Sequence, residues 1–348
     1  LTEVVANGWI YRTGGGQYEV RLDDGTAITA SLRGRLKQQE RTGDRVVIGD
    51  RVFVESIEME SGEGSWVISA VEPRGGEIVR RGVSERNPKV VAANIDRMFA
   101  VVAAVEPDPR LDQIDRLLVI AEASGIAVSL VINKLDLPGA AEVAEELGEL
   151  YRSVGYEVWP ISAIRGDGLK PLAERVREGT SALVGPSGAG KSSILNAIDP
   201  SLHLKTGELS RKLARGKHTT VTARLISLRG GGRVADTPGF GDVGVWGVPT
   251  GALEDCFPEF EPFLGECRFR GCTHVHEPGC TIQEAAAEGK ILASRMDSYR
   301  QLWGEAAEIE KDPTRGPASE KGSDSGGSKG GPRGGSSGGS GRGRRRGR

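Results

Sequence analysis

"SALVGPSGAGKSSILNAI" at residues 181–198 reads as strand, loop and helix in succession. An apolar run leads into a loop with three glycines, and residues with helical spacing follow. The loop, "GPSGAGKS" at 185–192, fits the pattern G-x-x-x-x-G-K-[ST]. Glycines let successive backbone N–H groups turn inward onto phosphate oxygens, the lysine reaches the terminal phosphates, and the hydroxyl that opens the helix ligates Mg²⁺. Gly185, Pro186, Ser187, Gly188, Ala189, Gly190, Lys191, Ser192 and Ser193 are therefore the expected phosphate cradle, with Lys191 also catalytic and Ser192 a magnesium ligand.

Outward from the loop the alternation continues. "RMFAVVAAV" (97–105), "IAVSLVI" (126–132), "EVWPIS" (157–162) and "TSALVG" (180–185) are apolar runs of the kind buried in a parallel sheet. Between them, "LDQIDRLLVIAEASG" (111–125), "AAEVAEELGELYRSVG" (140–155) and "LKPLAERVREG" (169–179) have helical spacing. This predicts a doubly wound α/β domain over residues 95–245, entered through a linker at 73–94.

Residues 1–72 have a different texture. "EVVANGWIYR", "QYEVRL", "TAITASL", "RVFVESI" and "SWVISAV" are short strands punctuated by "TGGG", "DDG" and "SGEG", with no convincing helix. A small closed OB-like β-barrel is expected, a sandwich or SH3-like barrel being the other packings of such strands. Its Trp9, Tyr11, Tyr18, Phe53 and Trp66 are either core or base-stacking groups, with Arg12, Arg33 and Arg35 nearby.

"NKLD" at 133–136 follows a buried strand, so its polar groups emerge at the sheet's carboxyl edge, where ligands bind. Asp136 is placed to accept from guanine N1–H and the 2-amino group, a pair that adenine lacks. Asn133, Lys134 and Leu135 form the loop around it. "ISA" at 161–163 ends another strand, so the backbone at Ser162 and Ala163 can meet guanine O6. In "DTPG" (236–239), Asp236 can hold Mg²⁺ and the Gly239 amide can meet the γ-phosphate. In "GKHTT" (216–220), Thr220 or Thr219 can complete the magnesium shell, an ordinary loop being the alternative. His218 is a candidate to position the attacking water, or else a loop or RNA contact.

The four cysteines, at 256, 267, 272 and 280, fall in one short region, 246–310, which closes with a helical stretch "RMDSYRQLWGEAAEIEK". Two disulfides are one reading; a reduced metal cluster is the better one, because two histidines lie among the last cysteines. Cys267-x4-Cys272-x-His274-x5-Cys280 supplies a complete tetrahedral shell for one structural Zn²⁺, with His276 competing for the imidazole position and Cys256 left to pack. Residues 311–348 are mostly Gly, Ser and Arg and are expected to be disordered. The net charge of −2 hides an asymmetry. Residues 321–348 hold eight Lys/Arg against one Asp, so the other 320 residues carry −9. The tail reads as an electrostatic tether to RNA or as a solvated terminus.

No apolar run is long enough to span a bilayer. The sequence opens at Leu1 without a visible signal or transit peptide. A cytoplasmic monomer is expected, an organelle such as a plastid staying open.

Five elements are thus present in rotated order: base motif, "SA", cradle, switch threonine, "DTPG". The chain resembles the circularly permuted GTPases. With a barrel in front and a Cys/His cluster behind, it resembles the ribosome small-subunit-dependent GTPase family, RsgA. "LRGRLK", "ERNPKVVAANIDRMFAV", "RGKHTT" and "CTHVHEPGC" match in texture, over roughly residues 1–305; the Gly/Arg tail lies outside the pattern. The resemblance implies a GTP hydrolase that binds the small ribosomal subunit and its rRNA late in assembly, with His274 as the zinc ligand. Phe240 stands where many GTPases carry a water-orienting Gln, which implies slow turnover until the subunit assists. A GTP-liganded RNA-binding protein with negligible hydrolysis is the rival reading. "NKLD" argues against an ATP-using enzyme. Rotation makes "DTPGF" run almost directly into the metal-bearing module, so nucleotide state is expected to reach that module through this loop.

If Asp136 reads the base, Asp136→Asn shifts nucleotide preference from guanine toward xanthine. Competition binding with the two nucleotides checks this, and retained guanine preference would break the assignment.

Overall fold

Strand alternation in the first seventy residues closes on itself. The computed structural model describes residues 5–42, 45–58, 64–80, 89–204, 223–237 and 248–311. Strands β1 (Val5–Gly14), β2 (Gln17–Leu22), β3 (Ala27–Leu32), β4 (Arg51–Glu58) and β5 (Gly64–Val71) pair in the order β1–β2–β3–β5–β4, and β4 returns to β1. Closure makes this a barrel and not a sandwich. Alternate residues Ile10, Val20, Val52, Val54 and Ile68 fill it. Gly8 permits the closing crossing, since a Cβ there would stand 2.7 Å from Val20 Cγ1 and 2.8 Å from the Arg21 carbonyl.

Residues 34–42 form a helix, α1 (Gly34–Thr42), where none is expected from the sequence. Leu36 is its one apolar side chain, and it packs on the barrel core. A single anchor leaves no 3.6-residue periodicity to detect. The linker also holds structure, a two-stranded sheet of β6 (Ile78–Arg80) and β7 (Lys89–Ala92).

The core strands run β10 (Glu157–Pro160), β9 (Ala127–Asn133), β8 (Arg97–Ala103), β11 (Thr180–Val184), β13 (Arg233–Asp236), β12 (Arg224–Ser227). All neighbours are parallel except β12 against β13. Met98, Ala100 and Val102 of β8 face one side, against Ile114 and Leu118 of α2 (Leu111–Ala123) and Leu147 of α3 (Ala140–Ser153). Phe99 and Val101 face the other, against Val176 of α4 (Leu169–Val176) and Ile194 of α5 (Lys191–Ile198). Burial on both faces is why these strands read as continuous apolar runs. The chain lays β9 and β10 on one side of β8 and then crosses to β11 on the other, which opens a crevice at the carboxyl edge. Strand β12 pairs with β1, so barrel and core share one eleven-stranded sheet.

Behind the core, α6 (Thr281–Ala287) and α7 (Ala293–Lys311) pack with Leu253, Phe257 and Phe260, and this cluster takes in Val119 of α2. Phe257, Phe260 and Tyr299 have ring centroids 5.1–5.3 Å apart. Beside them lies an ion cluster built on the fully buried Arg295. Arg295 Nη1 donates to Asp115 Oδ1 at 2.6 Å, and Arg295 Nε donates to Glu259 Oε1 at 2.6 Å. The Tyr151 hydroxyl donates to the same Asp115 oxygen at 2.8 Å, and burial raises its pKa well above the ordinary tyrosine value. All described residues belong to one compact unit, Leu1–Pro317, and no helix among them is long and apolar enough to cross a membrane.

Arg295→Ala strands two buried carboxylates without their cation. It should destabilise the protein by about 3–5 kcal/mol, read from urea unfolding; a loss of under about 1 kcal/mol would mean the cluster is dispensable.

Candidate nucleotide site and metal centre

Four loops leave the carboxyl edge of the core sheet side by side: 133–136 after β9, 161–163 after β10, 185–190 after β11, and Asp236–Thr237 at the end of β13. One buried side chain ties three of them together. Asn133 Nδ2 donates to the Ala189 carbonyl at 3.0 Å, and the Ala163 N–H donates to Asn133 Oδ1 at 3.1 Å. Gly190 accommodates that amide, for a Cβ there would lie 2.2 Å from Asn133 Nδ2. Gly190 is also left-handed, at φ +95°, and opens α5 without a side-chain cap. Helix α5 therefore begins with backbone N–H groups that no side chain caps, the arrangement that suits an anion.

Lys191 Nζ folds over the loop and donates to the Gly185 and Pro186 carbonyls at 2.6 and 2.9 Å. Ser192 and Ser193 are half-buried in the first turn of α5, while Ser187 and Gly188 are exposed at the loop tip. In the base motif, Ser162 Oγ donates to Asp136 Oδ1 at 2.7 Å, and the Arg165 N–H donates to Ser162 Oγ at 3.0 Å. Arg165 Nη2 reaches the Leu135 carbonyl at 2.9 Å, and the Lys134 ammonium donates to the Glu106 carbonyl. Asp136 is thus held at a fixed angle with one oxygen engaged.

Asp236 accepts from Arg224 Nε at 3.0 Å. Next to it, Thr237 Oγ1 is buried with no partner among the described residues. An unpartnered hydroxyl and a carboxylate at the crevice fit a hydrated cation and its phosphates. His218, Thr219, Thr220, Gly239 and Phe240 lie outside the described residues, as does 312–348 of the tail.

In the C-terminal module the ligand atoms of Cys267, Cys272, His274 and Cys280 all lie within 4.8 Å of one another. Sulfurs of Cys267 and Cys280 are 3.8 Å apart, and His274 Nδ1 is 3.2 Å from Cys280 Sγ. A tetrahedral zinc with bonds of about 2.3 Å spaces its sulfurs by about 3.8 Å, so the cluster fits the ion. Burial works against the Cys267 thiolate, yet hydrogen bonds from Thr281 and the neighbouring thiols leave its pKa below the ordinary value. Burial pushes the Cys272 thiol up to about 12.

Glu254 is the functional residue that sequence reasoning missed. Its Oε2 lies 2.6 Å from His274 Nε2, which fixes the imidazole with Nδ1 toward the thiolates. It stands outside the Cys/His run, so no spacing rule points to it. His276 is exposed, and Cys256 is buried with its thiol at about 12. In the barrel, Tyr18 is core, while Trp9 lies under Arg233 and Arg51.

The rotated loop order now has a fold around it, and comparison decides its family. Residues 71–246 match the family model described as RsgA GTPase. The chain belongs to the RsgA GTPase family. A relative from Gemmatimonas aurantiaca, named small ribosomal subunit biogenesis GTPase RsgA, is 42% identical over 289 residues, 83% of this chain and 93% of that protein. The crystal structure of YjeQ from Thermotoga maritima is similar with a TM-score of 0.70 and 32% identity, covering 87% of this chain and 99% of that one. That of YloQ, described as a circularly permuted GTPase, has a TM-score of 0.66 at 27% identity, covering 88% and 96%. The fold is that of the circularly permuted GTPases, with the barrel in front and the Cys/His cluster behind.

Losing the carboxylate that orients His274 should loosen the metal without removing a ligand. Glu254→Gln is expected to bind zinc about 10–100-fold more weakly, measured by competition with a chromophoric chelator.

Proposed function

We propose that this chain hydrolyses GTP and serves in maturation of the small ribosomal subunit, binding the subunit and its rRNA in the cytoplasm as a monomer. One observation carries the reading. Asn133 joins the base loop, the 161–163 loop and the phosphate loop at one sheet edge, within a chain whose family is RsgA GTPase. Retention of that three-way junction favours a nucleotide that is gripped at both ends, base and phosphate.

In this reading, guanine lies against Asp136 with its O6 toward the backbone of Ser162 and Ala163, and Lys134 and Leu135 cover it. The N–H groups of 185–193 surround the phosphates. Lys191 exchanges the Gly185 and Pro186 carbonyls for β/γ oxygens, which gives the loop a different resting and loaded state. Ser192, Asp236 and Thr220 would hold Mg²⁺, which when bound neutralises charge developing on the phosphates. The Gly239 amide meets the γ-phosphate, and His218 is the candidate to orient water. Phe240 cannot hydrogen-bond a water, so unaided turnover is slow. Zinc held by Cys267, Cys272, His274 and Cys280 has no open coordination position and acts as a scaffold for a small module.

The test is phosphate release from GTP and from ATP, with and without purified small ribosomal subunits. The expected result is stimulation with GTP alone, on the order of 10³-fold or more, as when a partner completes transition-state contacts. Absence of stimulation would shift the assignment to a GTP-liganded RNA-binding protein.

A further inference from the structure

The register that joins barrel to core sets Arg12 of β1 directly opposite Arg224 of β12. Like charges across a strand pair are destabilising, and their local counter-charges are limited. Arg12 is 58% exposed with Glu19 at 3.9 Å, and Arg224 bonds Asp236. A third guanidinium, Arg21, lies 4.6 Å over the Tyr11 ring and donates to Ser227 Oγ at 3.0 Å; the Tyr11 hydroxyl is 2.7 Å from that same oxygen. Tyr11, Arg12, Glu19, Arg21, Arg224 and Ser227 line one open cleft of about 270 Å³. That is close to the lower end of small-molecule pockets, about 300 Å³, and suits a unit no larger than one nucleotide. Three guanidiniums against Glu19 in the cleft and Asp236 behind Arg224 leave a net positive charge, which selects an anion. Planar guanidiniums bind phosphate in a fork and stack on bases, and the paired hydroxyls of Tyr11 and Ser227 suit a ribose 2′-OH, which favours RNA over an acidic peptide.

We propose that this seam cleft binds one nucleotide of single-stranded RNA, its phosphate between Arg12 and Arg224, and that Arg224 thereby couples RNA to the nucleotide site. The proposal rests on reading Asp236 as a magnesium ligand in an RNA-binding GTPase. Arg224 has one guanidinium to share. Held on Asp236, it neutralises the carboxylate that the cation needs; drawn to an RNA phosphate, it releases that carboxylate. RNA and magnesium–nucleotide then favour the same position of Arg224, so each strengthens the other by one common factor.

The experiment uses the full chain with no ribosomal subunit and no hydrolysis. Fluorescein-labelled oligouridylate is titrated over a salt series, and a fluorescent non-hydrolysable GTP analogue is titrated with Mg²⁺, with and without the oligomer. Arg12→Gln should lower the slope of log K against log salt by about 0.7, the loss of one single-strand phosphate contact, with analogue affinity unchanged; Arg12→Lys should restore the slope. Oligouridylate should tighten Mg²⁺–analogue binding by about fivefold or more in the wild type. In Arg224→Gln that tightening should vanish, with affinity already at the RNA-saturated level. The basic tail is common to every variant, so differences report the cleft. An unchanged slope in Arg12→Gln overturns the subsite, and equal analogue affinity with and without RNA overturns the coupling. Displacement of the oligomer by polyglutamate at equal charge would assign the cleft to an acidic protein instead. If these results hold while subunits fail to stimulate hydrolysis, only the ribosomal reading falls; if they fail while stimulation stands, only the cleft does.

Discussion

The side-chain amide of Asn133 holds the nucleotide site together. A buried amide has to be hydrogen-bonded at both ends, and each unmade bond costs about 1–3 kcal/mol. Here one end takes a carbonyl from the phosphate loop and the other an N–H from the 161–163 loop. A leucine at this position would leave both backbone groups orphaned as well as removing the link. The constraint propagates: Gly190 has to be glycine because the amide fills the space a Cβ would take. It also reaches back into the sheet. Asn133 ends β9, whose position is fixed by Leu130 and Ile132 buried on one face and Val131 on the other. The loops inherit the rigidity of a packed strand, which is what a site needs if two ends of one ligand are to be held at fixed separation.

The same logic explains why rotating the order of elements leaves the site intact. A sheet edge collects loops by strand position and not by chain order, so the base loop can precede the phosphate loop as long as β9, β8 and β11 remain neighbours. What rotation alters is the company each loop keeps. Strand β12, the antiparallel member, sits between β13 and barrel strand β1. Any shift at Asp236 is two hydrogen-bonded strands from the barrel, so the barrel is mechanically close to the cation-binding edge although it lies far away in sequence.

Much of this was legible from residue order because the deciding patterns are local. The strand–loop–helix around Gly185–Ser192 is set by three glycines and flanking apolar runs, and the Cys/His cluster by spacing within fourteen residues. The misses are non-local or too short to have a period. Helix α1 has one apolar anchor. Strand β12 is four residues, "RLIS", of which only Leu225 is buried, so neither alternation nor a continuous run shows. Glu254 and Arg224 act through partners twenty and twelve residues away, His274 and Asp236, that only the folded chain identifies. Ion pairs of this kind carry no spacing rule.

The C-terminal module raises a different question, since rotation places it after "DTPG" as if on a tether. Its packing contradicts a loose tether. Arg295 is wholly buried between Asp115 of the core helix α2 and Glu259 of the module, and Val119 of α2 completes the module's apolar cluster. Arg116 adds a second link, to Glu305 at 2.7 Å. Pulling the module away would expose aromatic surface and part the buried Asp115 carboxylate from the guanidinium that neutralises it, a penalty of several kcal/mol. An allosteric coupling between two sites is typically worth about 1–3 kcal/mol. Nucleotide state therefore lacks the leverage to detach the module, and its influence has to act within a docked arrangement.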